Sequence, residues 1–492
     1  MHVEPCKESP STSLSLDSAT RAELWKRLGE IIEGYLSSVA ERPVSAEVTP
    51  EEVRARLKAF DFSKPIAPLE ALTAAAEGLE RAQVNTPHPR YFGLFNPAPT
   101  AMGIAADAIV AALNPQLAAW KHSPFAVEVE QHLIRAFGSR FGYDPAAADG
   151  TFTSGGSEAN FTALLAALTN SFPEIEKSGL RILASQPVFY VSAEGHHSFE
   201  KGARICGLGS AAVREIQANA LLQMDVESLE ATIVEDRRKG LLPFLIIANA
   251  GTTNAGIIDP LPPIAGVAAR QGLWFHVDAA WGGAAALVPE LRPCLDGIER
   301  ADSITLDAHK WLSAPMGAGL FLTRHPDILG RTFHISAAYV PPKAEGAGIV
   351  DPLEHSIQWS RRSIGLKVFL SLAVAGWEGY AEALRHMTQM GGELRRELKA
   401  AEWEVVNSTP LPIACFVDRQ SPQGRSADYL ESVAREVVAS GDAWISTTRV
   451  GGGTTVLRAC ITNYRTERKD LSALIQALER SRRKLAAANR AR

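Results

Sequence analysis

The stretch Ser303–Leu312 reads Ser-Ile-Thr-Leu-Asp-Ala-His-Lys-Trp-Leu, a short apolar run with strand character that ends in a His-Lys pair. Lys310 is the candidate reacting group, because an amine beside the apolar side chains of Trp311 and Leu312 is desolvated, which favours its neutral, nucleophilic form. Taken alone, a lysine near the end of a strand is more often a solvated charge. A second functional side chain is therefore needed before the pattern indicates a catalytic role for Lys310.

A second strand-like run, Leu273–Asp278, also ends in one charged residue, a carboxylate. On its own, such an aspartate is usually a turn or capping residue. Strands of an α/β sheet that end at the same edge place their last residues in one crevice, so we expect Asp278 and Lys310 to face a shared ligand. An aspartate for a pyridinium nitrogen and a lysine for an aldehyde are the two groups that pyridoxal phosphate requires.

Two segments carry a family resemblance. His276–Ala280 (His-Val-Asp-Ala-Ala) and Asp307–Trp311 (Asp-Ala-His-Lys-Trp) resemble the signature segments of the group II pyridoxal-phosphate-dependent amino acid decarboxylases, which include glutamate, aromatic amino acid, histidine and diaminobutyrate decarboxylases. Many members carry Asn where this chain has Asp307. The resemblance implies pyridoxal 5'-phosphate as cofactor, with Lys310 bound to its aldehyde and Asp278 at its ring nitrogen.

Length, composition and charge limit the classes of protein to which this chain can belong. The chain has 492 residues, 46% of them hydrophobic and 21% charged, as in ordinary globular proteins. A net charge of −5 leaves no basic excess for a phosphate backbone, so nucleic acid is not an expected partner. Five scattered cysteines with no Cys-x-x-Cys spacing predict reduced thiols in the cytoplasm. We expect no signal peptide and no membrane span.

Alternating strand and helix patterns predict an α/β fold with a mostly parallel sheet. The resemblance narrows this expectation to the aspartate-aminotransferase-like fold (fold type I), a doubly wound sheet with a smaller C-terminal α/β domain. The expected parts are an N-terminal helical arm (1–85), a large cofactor domain (86–375) and a small domain (376–492). The arm begins with helices after Asp17 and Thr49, which either cover their own domain or, as the resemblance implies, wrap around a second subunit of a homodimer whose active site lies at the interface.

A phosphate site is predicted where Thr153–Asn160 (Thr-Ser-Gly-Gly-Ser-Glu-Ala-Asn) runs into an Ala/Leu-rich helix. Small residues at a helix start leave backbone N–H groups free, and the helix dipole favours an anion there. The alternative is a helix capped by Ser154 with no ligand. The match to the family's phosphate-binding segment favours Gly156 and Ser157 as phosphate contacts.

The resemblance also implies roles for residues outside these segments. They are His196 and Ala280 on the two faces of the cofactor ring, Thr252 beside it, His309 at the phosphate or at Lys310, Tyr339 as the acid that reprotonates the α-carbon, Phe95 at the substrate pocket and Arg458 as a carboxylate-binding residue. For Phe95 the alternative is a core plug, and for Arg458 it is an exposed charge on an edge strand. The neighbouring histidines His196 and His197 have no partners at metal-ligand spacing, so no metal site is expected.

The expected activity is decarboxylation of an L-amino acid to its amine and carbon dioxide. The alternatives are transamination or aldehyde-forming oxidative decarboxylation, and, from another class, a non-catalytic metabolite-binding protein on the same fold. Tyr339 discriminates between amine formation and aldehyde formation, because phenylalanine at that position accompanies aldehyde formation in the family. Gln116 and Ala118 stand where aromatic-specific members have bulkier residues, which favours an acidic or aliphatic substrate.

Overall fold

A computed structural model describes residues 14–335 and 349–490. Eleven strands are present in these ranges: β1 (Asp149–Thr153), β2 (Pro187–Ser192), β3 (Val213–Ile216), β4 (Leu242–Asn249), β5 (Trp274–Asp278), β6 (Ser303–Asp307), β7 (Gly319–Thr323), β8 (Trp403–Val405), β9 (Ile413–Asp418), β10 (Ser446–Val450) and β11 (Thr454–Cys460). The α-helices are α1 (Ser18–Ser38), α2 (Pro50–Leu57), α3 (Pro68–Arg81), α4 (Ala101–Leu113), α5 (Pro124–Arg140), α6 (Gly156–Ser171), α7 (Ile175–Ser178), α8 (Ser198–Ile205), α9 (Val226–Arg238), α10 (Leu261–Gln271), α11 (Ile328–Phe333), α12 (Gly365–Ala400), α13 (Ala427–Ala439) and α14 (Arg468–Arg490).

The larger sheet has seven strands in the order β1-β7-β6-β5-β4-β2-β3. The strands from β6 to β3 run parallel, whereas β7 is antiparallel to both β6 and β1. Helices cover both faces, so the strands are buried and read as continuous apolar runs, as in Leu245–Ala248 of β4. The predicted α/β class with a mostly parallel sheet is confirmed.

The smaller sheet has the order β10-β11-β9-β8 and is antiparallel throughout. Because β11 lies between two strands, Arg458 is not on an edge, and only 2% of its surface is exposed. The alternative of an exposed edge charge is therefore wrong.

A single long helix, α12, leads from the large sheet to the small one. Its regular geometry is broken at Gly376, where φ is +64°, a conformation open to glycine because it lacks a Cβ. The break lies at the predicted boundary between residues 375 and 376. The division of the chain into three parts remains a prediction.

The N-terminal helices begin where their capping residues predict. The Asp17 carboxylate accepts from the N–H groups of Ala19 and Thr20, and Thr49 and Glu52 form a complete capping box with Pro50 in the first helical turn. None of α1, α2 and α3 has a buried residue. They pack partly on their own chain, since the Tyr35 hydroxyl donates to Asn85 and Arg465 donates to the carbonyl of Leu36, and the wrapping of this arm around a second subunit stays a prediction.

Among the residues that the structure describes, none of the helices has both the length and the apolar character that crossing a bilayer demands.

Candidate active site

A cavity of about 340 Å³ opens at the edge of the large sheet where the parallel strands end. Topology accounts for this position, because side chains that follow parallel strands meet outside their carboxyl ends. The lining residues include Gly156, Ser157, His196, Asp278, Ala280, His309 and Lys310, all predicted site residues, together with Ser154, Gly155, Glu158, Asn160, Asn249, Gly251, Thr253, Trp281, Asp307 and Met316.

Asp278 is the last residue of β5 and is 7% exposed. The N–H of Ala280 donates to Oδ1 at 3.1 Å, and the side-chain amide of Asn160 donates to Oδ2 at 2.8 Å. Two donors from different elements thus fix the carboxylate at the cavity wall, as an ion-pair partner for a cationic ligand atom requires.

Lys310 follows β6 by three residues, and its Nζ lies 3.0 Å from Oδ2 of Asp307. The Asp307 side chain is 1% exposed and the Lys310 side chain 21%. The sequence predicts an amine desolvated by Trp311 and Leu312, but both of those residues are packed into the core. The nearest charged group to the amine is instead a buried carboxylate.

Helix α6 starts at Gly156 with no side-chain cap. The Ser154 hydroxyl and N–H both donate to Glu158, at 2.6 and 2.9 Å, so the alternative in which Ser154 caps the helix is wrong. The first N–H groups of a helix have no acceptor within it, which leaves those of Gly156 and Ser157 available to an anion. A Cβ at residue 156 would lie 2.7 Å from Oδ2 of Asp307, so only glycine fits.

Two histidines line the cavity, and desolvation lowers the pKa of each below its ordinary value. Nδ1 of His196 accepts from the N–H of Ser198 at 3.2 Å, and Nδ1 of His309 accepts from the N–H of Ala318 at 3.2 Å. A neutral imidazole that accepts at Nδ1 carries its proton on Nε2. Each histidine therefore keeps one N–H donor free of these backbone contacts.

Three predicted residues do not line the cavity. Thr252 is buried, and its hydroxyl accepts from the N–H of Ile257 at 3.0 Å. Phe95 stacks on Trp281 with ring centroids 4.5 Å apart, and Nζ of Lys310 lies 5.7 Å from its centroid. Arg458 lies close to the same ring, with Cζ 5.0 Å from the Phe95 centroid. Tyr339 lies outside the described residues.

Arg458 is held by main-chain oxygens. Nε donates to the carbonyl of Thr253 at 3.0 Å, and Nη1 donates to the carbonyl of Gly93 at 2.6 Å. Nη2 is buried without a hydrogen-bond partner, and no carboxylate pairs with the guanidinium among residues 14–335 and 349–490. A buried cation in this state favours an anionic ligand.

The cavity contains residues beyond the predicted ones, and two of them, Asn160 and Asp307, contact the predicted charged groups Asp278 and Lys310. Asn160 carries no local signal, because its contact with Asp278 joins a helix to a strand far along the chain. The pairing of Asp307 with Lys310 has a signal in the sequence, an acidic residue three positions before the lysine. Gln116 donates to Ser360 and Ala118 packs against Leu353, so neither of these lines the cavity.

The residues present fit pyridoxal phosphate. A carboxylate held at the end of β5, an amine after β6 and uncapped N–H groups at α6 surround one cavity, and they suit a ring nitrogen, an aldehyde and a phosphate. Gly156 keeps the phosphate end open where any side chain would collide with Asp307.

Comparisons with known proteins agree with this fit. The family profile described as "Pyridoxal-dependent decarboxylase conserved domain" matches residues 50–419. The aromatic-L-amino-acid decarboxylase of Bacillus atrophaeus is 30% identical over 477 residues, covering 95% of this chain and 97% of that protein. Mouse cysteine sulfinic acid decarboxylase is 34% identical over 336 residues, 68% of each chain. The crystal structure of mouse CSAD superposes with a TM-score of 0.88 at 28% identity, covering 95% of this chain and 99% of that one.

Replacing Gly156 by Ala tests the phosphate end of the cavity. The added Cβ forces the helix start and Asp307 apart, so we expect the Kd for pyridoxal phosphate to rise by roughly tenfold or more. Calorimetric titration of cofactor-free protein measures this. Gly392→Ala is the control, because nothing lies within 4 Å of a Cβ there. Equal affinity in both variants would remove Gly156 from the phosphate site.

Proposed function

Because this chain belongs to the pyridoxal-dependent decarboxylase family, we propose that it converts an L-amino acid to the corresponding amine and carbon dioxide in the cavity between Asp278 and Lys310. Membership makes the protein a carboxy-lyase that uses pyridoxal 5'-phosphate in amino acid metabolism. The observation that carries the site assignment is the meeting of Asp278, Lys310 and the open start of α6 in one cavity.

When bound, the cofactor supplies an electron-accepting ring for the charge left at the α-carbon as carbon dioxide departs. Asp278 would hold a proton on the ring nitrogen, and Lys310 would hold the aldehyde end of the cofactor. His196 and Ala280 would hold the ring, with Thr252 beside it, and Gly156, Ser157 and His309 would orient the phosphate and Lys310. These assignments combine the family resemblance with the cavity lining, which includes every one of these residues except Thr252.

The purified, cofactor-loaded protein, incubated with each common L-amino acid in turn, should release carbon dioxide and an amine of matching mass from one of them. Lys310→Ala should lower that rate by roughly three orders of magnitude or more, because the amine that binds the cofactor is lost. Lys201→Ala, an exposed lysine on α8, is the control. Product without carbon dioxide would indicate transamination, and no product from any amino acid would favour a non-catalytic binding role.

Arg458 is proposed to bind the substrate carboxylate through Nη2, the buried donor that has no partner among the described residues. Phe95 contacts both this arginine and Lys310 through its ring and supplies an aromatic wall to the substrate. Nζ of Lys310 and Cζ of Arg458 lie 5.7 and 5.0 Å from the centroid of this one ring. A planar guanidinium is the side chain best matched to a carboxylate.

Arg458→Lys should raise KM by about tenfold or more, because an ammonium group cannot keep both carbonyl contacts and also bind a carboxylate. The Kd for pyridoxal phosphate should change little. Steady-state kinetics and calorimetry give the two values, and Arg449→Lys on the neighbouring strand, where the arginine is exposed, is the control. A loss of cofactor affinity with unchanged KM would show that Arg458 acts on the fold and not on the substrate.

The relatives differ in substrate. Their names specify aromatic amino acids, 2,4-diaminobutyrate and cysteine sulfinic acid. We propose an acidic or aliphatic substrate, on the sequence positions of Gln116 and Ala118.

Amine formation in place of aldehyde formation is proposed from Tyr339, which stands where the family carries its proton-donating tyrosine. Tyr339→Phe should slow amine release by roughly a hundredfold, the usual scale for losing a positioned acid, and increase the aldehyde fraction. Mass spectrometry of products measures both. Tyr143→Phe is the control, since that hydroxyl only donates to the carbonyl of Ala301. Unchanged products would remove Tyr339 from the mechanism.

A cytoplasmic homodimer with the active site at the subunit interface is also proposed. Helices α1 to α3 have no buried residue, and Trp25 on α1 is 60% exposed. Leu57 on α2 and Leu79 on α3 are also more than 60% exposed, and the arm of a homodimer would place such apolar side chains against a second subunit. The cytoplasmic assignment rests on the reduced-cysteine pattern of the sequence.

A further inference from the structure

A row of polar side chains crosses the interior of the large sheet on the face covered by α6. Trp274, His276 and Asp278 alternate along β5 and so point to the same face. Ser303 and Thr305 of β6 lie beside them in register, His276 opposite Ser303 and Asp278 opposite Thr305. All five are at most 7% exposed. A sheet face packed under a helix is normally apolar, because a buried polar group costs free energy unless it is hydrogen-bonded.

The direction of the hydrogen bonds in this row is assigned from its two ends, the donor Trp274 and the acceptor Asp278. An indole only donates, and Nε1 of Trp274 donates to Oγ of Ser303 at 2.9 Å. The one hydroxyl proton of Ser303 is then available to Nδ1 of His276, 2.9 Å away. Burial lowers the pKa of His276 to about 4, so its imidazole is neutral at pH 7 and carries a single proton. The tautomer with that proton on Nε2 is the one that matches Oδ1 of Asn160, an acceptor that faces this atom.

The row continues from His276 into helix α6. Nε2 of His276 lies 3.3 Å from Oγ1 of Thr305 and 3.4 Å from Oδ1 of Asn160. Thr305 donates to the same Oδ1 at 2.7 Å. With its oxygen turned to these donors, Asn160 presents its NH₂ group to the other side, where it donates to Oδ2 of Asp278 at 2.8 Å and to Oγ of Ser198 at 2.9 Å. Every link thus donates towards Asp278.

We infer that the row from Trp274 through Ser303, His276 and Asn160 is a positioning chain that fixes Oδ2 of Asp278 and so aims this carboxylate at a cationic ring nitrogen. The inference rests on the proposed function, which makes Asp278 the partner of that nitrogen. Since Ala280 holds Oδ1, the carboxylate cannot rotate without breaking one of two hydrogen bonds. A carboxylate held in advance loses less conformational freedom when it pairs with its ligand.

A network that only stabilises the fold would behave differently from a positioning chain. Weakening a purely structural network would reduce the affinity of the cavity for any ligand of the same shape by the same factor. Weakening a positioning chain would reduce specifically the affinity that depends on the ring nitrogen. The ratio of two dissociation constants separates these cases, because effects common to both ligands cancel.

The experiment compares pyridoxal phosphate with its 1-deaza analogue, in which a C–H group replaces the ring nitrogen, by calorimetric titration of the full-length, cofactor-free protein. The nitrogen preference is the Kd for the analogue divided by the Kd for pyridoxal phosphate. In the wild-type protein this preference should exceed that of Asp278→Ala by roughly tenfold or more. Asn160→Leu, of similar volume but without the amide, should reduce this preference by about threefold or more. An unchanged preference in Asn160→Leu would overturn the inference.

Trp274, at the end of the row farthest from Asp278, allows a second and independent substitution to test the inference. Trp274→Phe removes the first donor and should reduce the nitrogen preference by about twofold. Trp403→Phe is its matched control, because Trp403 is also buried and its Nε1 has no hydrogen-bond partner in the described part of the chain. If Asn160→Leu does not fold, Trp274→Phe provides the test in its place. A nitrogen preference in Trp274→Phe equal to that in Trp403→Phe would then overturn the inference. A wild-type preference no greater than that of Asp278→Ala would instead refute the proposed role of Asp278 itself.

Discussion

The ion pair between Lys310 and Asp307 is the interaction on which the site depends. Its atoms are 3.0 Å apart, and the carboxylate is almost fully buried. Removing one member of a buried pair leaves a charge without compensation, which costs several kcal/mol. The carboxylate also approaches the start of α6 so closely that residue 156 must be glycine. One side chain at the end of β6 therefore sets both the position of the lysine and the shape of the phosphate end.

Charge is unevenly distributed around this pair. Asp278, Asp307 and Glu158 line the cavity, whereas the Arg458 guanidinium lies against Phe95 with only carbonyl partners among the described residues. A ligand that is cationic at one end and anionic at the other satisfies both regions at once. An amino acid has that charge pattern, and this agreement links the electrostatics of the apoprotein to the class of substrate that its relatives use.

Features encoded by local patterns were predicted well from the sequence. The end of β5 at Asp278 and the helix starts after Asp17 and Thr49 all depend on residues within a few positions of one another. Prediction failed where the environment is built by distant segments. For Arg458 it was the alternative of an exposed charge that failed, because the carbonyls of Gly93 and Thr253, distant in the chain, hold its buried side chain. Asn160 sits in an Ala/Leu helix and gains its role only from β5 and β6.

The place of β7 in the large sheet bears on how the protein is made. Strand β1, which leads into the phosphate-binding start of α6, is an edge strand whose one sheet partner is β7. Strand β1, which begins at residue 149, therefore cannot pair in the sheet until the ribosome has synthesised β7, which ends at residue 323. At translation speeds of about 5–20 residues per second, that wait is on the order of ten seconds or more. During this interval the nascent chain can have strands β2 to β6 paired while β1, and with it the start of α6, has no place in the sheet, so the α6 end of the cavity is completed only after β7 is made.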